Sequence, residues 1–168
     1  MLLKSSRHHF HEEKEMATYT AKIVWERNEQ VFLDNRYSRK HRIIFDGGFE
    51  VPASSSPSVV PLPYSDATAV DPEEMFVASI SNCHMLWFLS IAAKHNYCVD
   101  RYEDNPIGIM KKNEQGKLFI AEVILHPQVE FSGEKFPTKI DIEKMHETAH
   151  EECFIANSVK TSITYKLD

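Results

Sequence analysis

The chain opens with alternating apolar and polar positions that predict strands. Residues 18–26 alternate with β-branched and aromatic side chains, as a half-buried strand does. Residues 37–45 predict a second strand, which stops at the Asp-Gly-Gly turn at 46–48. Residues 49–53 predict a short returning strand. The Ser- and Pro-rich segment 54–71 predicts a surface loop.

The pattern changes to that of a helix at Asp71. This residue suits the N-cap, Pro72 suits the first helical position, and Glu74 completes a capping box. We expect the helix to run to about Lys94. Residues 75–93 contain no Lys, Arg, Asp or Glu but do contain Ser, Asn and His. This composition favours the buried centre of a domain or a subunit interface over a membrane span.

The second half of the chain predicts two long strands, a helix and a last strand. The strands cover residues 98–112 and 117–131 and are joined by a hairpin turn at 113–116. The helix covers residues 141–152, and a short strand covers residues 161–167. One face of the predicted helix is apolar and comprises Ile142, Met145, Ala149 and Cys153. Because the strands come in runs separated by two main helices, we expect an α+β fold with an antiparallel sheet.

Composition limits the domain count and the kinds of partner. The chain has 168 residues, 42% of them apolar, which fits one globular domain, and we assign that domain to residues 16–168. Residues 1–15 are polar and lack the apolar core of a signal peptide. We expect them to be a disordered leader or the result of an upstream translation start. A net charge of −6 and a pI near 5.8 argue against nucleic-acid or anionic-membrane binding, and we expect neither partner.

The three cysteines are the main candidates for chemistry. Cys83, Cys98 and Cys153 are too few and too scattered for a disulfide scaffold. They are typical of a reducing compartment, so we expect the protein in the cytoplasm. A free cysteine is either a small buried hydrophobe or a reactive thiol, and a reactive thiol needs a positive charge nearby. The basic cluster at residues 36–42 could supply that charge, or it could be a solvated strand end.

One motif suggests a zinc site, but the sequence does not provide the third ligand that such a site needs. Residues 146–150 read His-Glu-Thr-Ala-His, the HExxH pattern of zinc peptidases. No third ligand follows at the required range, and the simpler interpretation is an amphipathic helix with histidines at its boundary. Phosphate-binding and dinucleotide-binding glycine patterns are also missing. We therefore expect neither a metal nor a cofactor.

Two motifs carry a resemblance to a known family. The first is Asp-Pro-Glu-Glu-Met-Phe at 71–76, followed by Ser-Asn-Cys at 81–83. The second is His-Glu-Glu-Cys at 150–153, continuing to Asn-Ser-Val-Lys at 157–160. These segments resemble the two signatures of the OsmC/Ohr family, the osmotically inducible protein C and organic hydroperoxide resistance proteins. The resemblance extends from about Met16 to the C-terminus in the order and spacing of elements.

The resemblance implies a thiol-dependent peroxidase that reduces hydroperoxides, preferably organic ones. By position, Cys83 matches the peroxidatic cysteine of the family and Cys153 the resolving cysteine. Their disulfide would be reduced by an external dithiol. The family often has Pro after the second cysteine, where this chain has Phe154. Cys98 has no counterpart in these motifs, and we expect it to be a packing residue.

The resemblance also implies a glutamate and an arginine at the peroxidatic thiol. Glu73 matches the glutamate that orients a catalytic arginine, and Arg39 is the preferred arginine, with Arg36 and Arg42 as competitors. The apolar residues 85–88 next to the first cysteine would favour an organic hydroperoxide, although they could simply be core.

Helix geometry leads to a prediction about assembly. If residues 73–83 form continuous helix, Glu73 and Cys83 lie about 15 Å apart along its axis, farther than a glutamate and an arginine span in series. We therefore predict an intertwined homodimer in which each complete site takes residues from two subunits. The alternative function is a non-catalytic OsmC-like protein that binds a small ligand or acts in a stress response, with inert cysteines.

Overall fold

A computed structural model describes residues 17–167. The predicted leader at residues 1–15 lies outside this range. The described elements, in chain order, are β1 (Ala21–Val24), β2 (His41–Phe45), β3 (Glu50–Ala53), α1 (Pro72–Lys94), β4 (Cys98–Asp104), β5 (Ile107–Lys112), β6 (Leu118–Leu125), β7 (Pro127–Ser132), α2 (Lys139–Glu152), a 3₁₀ turn (Ala156–Ser158) and β8 (Ser162–Tyr165).

Strands β1, β2 and β3 form an antiparallel sheet in that order, as the alternation predicts. The turn between β2 and β3 is the predicted one, and Gly48 adopts a positive φ of 81° that favours glycine. β2 begins four residues later than expected, and in the preceding segment the backbone N–H of Arg39 donates to the carbonyl of Tyr64 in the 54–71 loop. The sheet has little core of its own, and Ile23 in β1 is 60% exposed.

Helix α1 has the start that the sequence predicts. The carboxylate of Asp71 accepts from the Glu74 N–H at 2.8 Å, and the Glu74 carboxylate accepts from the Asp71 N–H at 3.1 Å. The helix is long and apolar enough to cross a membrane, but the core helices of soluble proteins can have the same length and composition. Only 28% of its apolar stretch is buried in the single chain. The single chain leaves five residues of the charge-free stretch 75–93 exposed, namely Ala78, Asn82, Leu86, Ser90 and Ala93.

The two long strands predicted for residues 98–112 and 117–131 are each broken, which corrects the sequence interpretation. β4 pairs with β7, and β5 pairs with β6, so one long hairpin becomes two separate antiparallel pairs. The Asp104 carboxylate sits at the break, where it accepts from the Ser81 hydroxyl on α1 and from the His126 N–H at 2.6 Å. These two hydrogen bonds lie at the point where strand propensity alone predicts that both strands continue.

One strand pair departs from the predicted antiparallel arrangement. β8 pairs in parallel with β6, with Glu122 opposite Ser162 and Leu125 opposite Tyr165. A parallel pair needs a long crossover connection, and β7 and α2 provide it between β6 and β8. The remaining strand pairs among residues 17–167 are antiparallel, and the α+β class with two main helices is confirmed.

Helix α2 packs its apolar face on α1 and the β4–β7 pair. Its N-terminal turn is capped by Thr138, whose hydroxyl accepts from the Asp141 N–H at 3.2 Å. The core between the two helices is built from Phe88, Ile91, Ala92, Met145 and Ala149. A second cluster, Ile80, Val123 and Leu125, seats the other part of α1 on β6.

A pair of histidines crosses this core. His84 of α1 and His146 of α2 are 1% and 0% exposed, and Nε2 of His84 shares a hydrogen bond with Nδ1 of His146 at 2.9 Å. Burial lowers the pKa of His84 to about 4, with the positive charge of His150 adding to the shift. Burial and the charge of His84 lower the pKa of His146 to about 3. Both imidazoles are therefore neutral at pH 7.

The close approach of β5 to α1 gives a first test of the fold. A Cβ added at Gly108 of β5 would lie 2.6 Å from Cγ2 of Val77, well inside contact distance. Gly108→Ala should therefore lower the free energy of unfolding by about 1–3 kcal/mol, measured by urea denaturation. Gly47→Ala is the matched control because an added Cβ there meets nothing within 4 Å. Equal stability of the two variants would contradict the observed packing.

The histidine pair gives a second test. Between pH 6.5 and 4 the two histidines are protonated in the unfolded chain but stay neutral in the folded protein. The free energy of unfolding should therefore fall as pH falls. Relative to the variant His84→Leu/His146→Leu, the wild type should lose about 2–4 kcal/mol more on going from pH 7 to pH 5. Urea denaturation at both pH values measures this difference. Parallel pH profiles of the two proteins would show that the histidines are not buried and neutral.

Candidate active site around Cys83 and Cys153

The two cysteines singled out by the motifs lie next to each other in the folded chain. Cys83 is in the middle of α1, and Cys153 follows the last turn of α2 as its C-cap. The two helices run in opposite directions, since Asp141 at the start of α2 lines one cavity with Ile91 and His95 at the end of α1. This arrangement brings the end of α2 to the middle of α1, where Cys83 is close enough to Cys153 to raise the pKa of its thiol.

Cys153 is shielded and held in its protonated form. The residue is 1% exposed. Burial, followed by the hydrogen bond that the Cys153 thiol donates to Cys83, raises the pKa of Cys153 to about 11. Its position at the negative end of the α2 dipole also disfavours a thiolate. The N–H of Ala156 donates to Sγ of Cys153 at 3.4 Å and partly offsets these effects.

Cys83 is half-buried and opens onto a surface pocket of about 430 Å³. The pocket walls are mostly apolar, and its lining consists of Ser79, Asn82, Cys83, Leu86, Trp87, Ser90, Phe154 and Ile155. Trp87 and Phe154 meet edge to face with ring centroids 5.6 Å apart. Phe154, at the position where the family often has Pro, is thus a wall of the pocket. The Cys83 side chain is therefore accessible from this pocket.

The expectation that Cys98 is a packing residue is wrong. Cys98 is exposed at the start of β4, opposite Ser132 of β7. Residue type alone favours burial for a free cysteine, but a strand end at the sheet margin leaves this one in solvent. Cys98 is therefore a reachable thiol that any thiol assay must account for.

The three candidate arginines have different surroundings. Arg42 is exposed and pairs with Glu26 and Glu50 at 3.6 and 3.4 Å. Arg36 is exposed, whereas Arg39 is half-buried with its guanidinium 3.9 Å from the centroid of Tyr37. Among residues 17–167 Arg39 forms no ion pair, and its guanidinium donates to Asn35. The guanidinium of Arg39 also donates to the carbonyl of Tyr37. Arg39 therefore stays the preferred arginine by its position in the sequence, and its surroundings do not separate it from Arg36.

Within one chain, Arg39 and Glu73 do not meet Cys83. Arg39 lines a cleft of about 450 Å³ that extends to Pro72, the residue before Glu73. Glu73 faces a different cavity of about 410 Å³ beside β5, and the described residues provide no ion pair for it. Because α1 is continuous from Pro72 to Lys94, ten helical residues separate Glu73 from Cys83, about 15 Å along the axis. The structure thus brings together Cys83 and Cys153 and leaves Arg39 and Glu73 apart from them.

The HExxH motif does not form a surface metal site. His146, expected at the helix boundary, is instead buried with Nδ1 bonded to His84. No group of three or more His, Cys, Asp or Glu side chains within residues 17–167 is arranged to hold a metal ion. The sequence pattern missed His84 because its partner lies 62 residues away and local spacing carries no signal for such a pair.

A comparison with the sequence models of protein families gives a match over the second part of the chain. Residues 65–168 match the sequence model of the family described as OsmC-like protein, which is more than half of the chain. No curated protein matches the chain.

Solved structures match over nearly the whole chain. An OsmC-like protein of unknown function from Vibrio cholerae is 52% identical with a TM-score of 0.89, and the match covers 91% of this chain and 100% of that one. An organic hydroperoxide resistance protein from Elizabethkingia anophelis is 18% identical, with a TM-score of 0.66 and coverage of 92% and 96%. An organic hydroperoxide resistance protein from Legionella pneumophila is 19% identical, with a TM-score of 0.62 and coverage of 92% and 97%.

The latter two likenesses concern the fold, and they agree with the arrangement of two helices and paired strands. The family match and the Vibrio structure go further, because they cover the motifs that contain both cysteines. The resemblance seen in the sequence is confirmed, and the chain belongs to the family of OsmC-like proteins.

Proposed function

We propose that this protein is a cysteine-based peroxidase that reduces organic hydroperoxides in a reducing compartment such as the cytoplasm. The observation that carries the proposal is the contact between an accessible thiol, Cys83, and a shielded one, Cys153. Two fold relatives described as organic hydroperoxide resistance proteins support it, while the 52% identical relative is described as of unknown function.

The proposed chemistry assigns different steps to the two thiols. The Cys83 thiolate attacks the terminal oxygen of the hydroperoxide, the O–O bond breaks, and the alkoxide leaves as an alcohol after taking a proton. Cys83 is then a sulfenic acid. Sγ of Cys153 attacks Sγ of Cys83, the S–S bond forms, and the oxygen leaves as water with the Cys153 proton. An external dithiol returns both cysteines to thiols and is itself oxidised to a disulfide.

The protonation of Cys153 suits the second role. A thiol whose pKa is raised to about 11 is a poor first nucleophile at pH 7 and reacts only with an electrophile held against it. The buried position also keeps peroxide away from Cys153. The pair therefore has a preferred order, in which Cys83 is oxidised first and Cys153 reacts afterwards.

Arg39 would stabilise the Cys83 thiolate and the departing alkoxide, and Glu73 would orient its guanidinium. Since one chain keeps both residues apart from Cys83, we propose that the partner subunit of a homodimer completes each site. The apolar wall of the pocket formed by Trp87, Phe154 and Ile155 would hold the organic part of the substrate.

Two uncovered surfaces support the homodimer. Exposed positions at every fourth residue form an uncharged stripe on α1, namely Ala78, Asn82, Leu86 and Ser90. Small and apolar residues at this spacing suit close packing against a second helix. The β1–β3 sheet is the other surface, because Ile23, Trp25 and Phe32 are exposed around the cleft that contains Arg39. A three-stranded sheet with so little core gains stability by packing on another surface.

The peroxidase proposal has a direct test. Cys83→Ser should lower turnover of cumene hydroperoxide with a dithiol by at least about 10³-fold, because an alcohol cannot replace a thiolate in attack on the O–O bond. Cys98→Ser should retain activity, since this exposed residue lies outside the pocket. Dithiol consumption followed in the presence of peroxide measures both. Wild-type turnover by Cys83→Ser would sink the proposal in favour of a non-catalytic binding protein with inert thiols.

The homodimer proposal is tested at Leu86, which is 57% exposed in the middle of the uncharged stripe. Leu86→Glu places a charge where a second α1 would pack, and the dimer dissociation constant should rise by about 100-fold or more. The control is Ile140→Glu, an exposed apolar position at the start of α2. Light scattering across micromolar concentrations gives the mass of each protein. A monomeric wild type, or an unchanged dimer in Leu86→Glu, would refute the proposed interface.

A further inference from the structure

The buried histidine pair is a polar contact between the two helices that carry the cysteines. The imidazole planes of His84 and His146 are within 6° of parallel, and their nitrogens are 2.9 Å apart. Nε2 of His146 has no hydrogen-bond partner among residues 17–167, so the bond to His84 is the one directional contact its imidazole makes there. Losing one partner would leave a buried polar group unpaired at a cost of about 1–3 kcal/mol.

Packing holds the orientation of this bond. The His146 ring lies on Phe88 of α1 with centroids 4.3 Å apart, and Tyr165 of β8 lies on another side at 5.2 Å. Neither imidazole can turn freely in such surroundings. The bond therefore specifies both the rotation of α2 and its position along α1. Apolar contacts such as those of Met145 and Ala149 tolerate small shifts more readily than a buried hydrogen bond does.

The thiols lie close to this contact in both helices. Cys83 is the residue before His84 on α1. Cys153 follows His146 by seven residues, two helical turns, and so lies on nearly the same face of α2. Near the thiols the helices also meet through the ring contact of Trp87 and Phe154, but Phe154 is 66% exposed and not enclosed. The histidine pair is thus an enclosed polar contact between the two helices that lies close to the thiols.

We propose that the hydrogen bond between His84 and His146 is a positioning contact for disulfide formation, which keeps α2 in register on α1 so that Sγ of Cys153 faces Sγ of Cys83. This inference rests on the proposed function in taking the disulfide as a step of turnover. The step itself forms the S–S bond, breaks the S–O bond of the sulfenic acid and releases water. A displacement of about 1 Å between reacting atoms can cost about 10²-fold in rate, so a loss of register acts on this step.

The same contact has no role in the first step. Attack on the peroxide uses Cys83 and the pocket, whose lining contains neither histidine. The proposal therefore predicts a split between two rate constants. Removing the bond should leave oxidation of Cys83 within about 2-fold and slow its condensation with Cys153 by about 10-fold.

The test uses a matched pair of variants in a Cys98→Ser background, which leaves two thiols. In His84→Gln the side-chain amide reaches the position of Nε2 and keeps the bond to Nδ1 of His146, while His84→Met has similar length but cannot form it. Cumene hydroperoxide oxidises Cys83, and competition with a sulfenic-acid trap measures how fast Cys153 captures it. His84→Met should resolve about 10-fold more slowly than wild type, and His84→Gln should resolve at nearly the wild-type rate. Equal resolution rates of His84→Met and wild type, or equally slow rates of both variants, would overturn the proposal.

The double variant His84→Leu/His146→Leu separates positioning from stability. Replacing both partners by apolar groups of similar size recovers most of the free energy of unfolding that a single replacement loses. Resolution should stay slow in this variant, because the directional contact is still missing. Recovery of the resolution rate together with stability would show that the pair contributes stability alone, and the positioning role would be rejected.

A glutathione redox buffer tests the same contact without any peroxide. There the fraction of Cys83–Cys153 disulfide at equilibrium depends on how well the two thiols are aligned. His84→Met should make this disulfide about 10-fold less stable relative to glutathione, a shift of about 30 mV, and His84→Gln should not. If wild type failed to reduce peroxide, the proposed function would fall while this measurement still decided the positioning role. An unchanged equilibrium in His84→Met would refute that role.

Discussion

The packing of α2 on α1 is the constraint on which the candidate site depends. The capping box at Asp71 starts α1, and the two helices meet over Phe88, Met145 and Ala149. Their antiparallel course places the end of one helix at the middle of the other. As a result, two thiols separated by seventy residues of sequence become neighbours, one of them open to solvent and the other enclosed.

This packing gives the two thiols unlike environments. Burial and the end of a helix keep Cys153 protonated, while the position of Cys83 beside Leu86 and Trp87 leaves it reachable through an apolar pocket. The chain also buries two neutral histidines in the same interface, which costs stability below pH 6.5. A protein with only apolar packing there would avoid that cost, which is why we assign the pair a positioning role. The exposed stripe of α1 and the thinly packed β1–β3 sheet show that one chain leaves apolar surface exposed to solvent.

Local signals in the sequence predicted local structure well. The Asp-Pro-Glu-Glu start of α1, the turns at Gly48 and Gly116, and the apolar face of α2 depend on neighbours within a few residues, and all are confirmed. Contacts between distant residues could not be foreseen. The strand break at Asp104 needs Ser81 and His126, and the parallel pairing of β8 needs the crossover through α2. Strand propensity takes each segment by itself, and so it predicted unbroken, antiparallel strands.

The candidate site shows the same division. The family motifs pointed to Cys83 and Cys153, and the structure places them together. The burial of His146 and the exposure of Cys98 ran against expectation, because both depend on tertiary packing.

The pairing of Cys83 with Cys153 is tested by a peptide map of the reduced protein after one equivalent of an organic hydroperoxide. We expect a peptide pair linked through Cys83 and Cys153, with Cys98 free. Cys83 and Cys153 both recovered as free thiols, with the peroxide unconsumed, would contradict it.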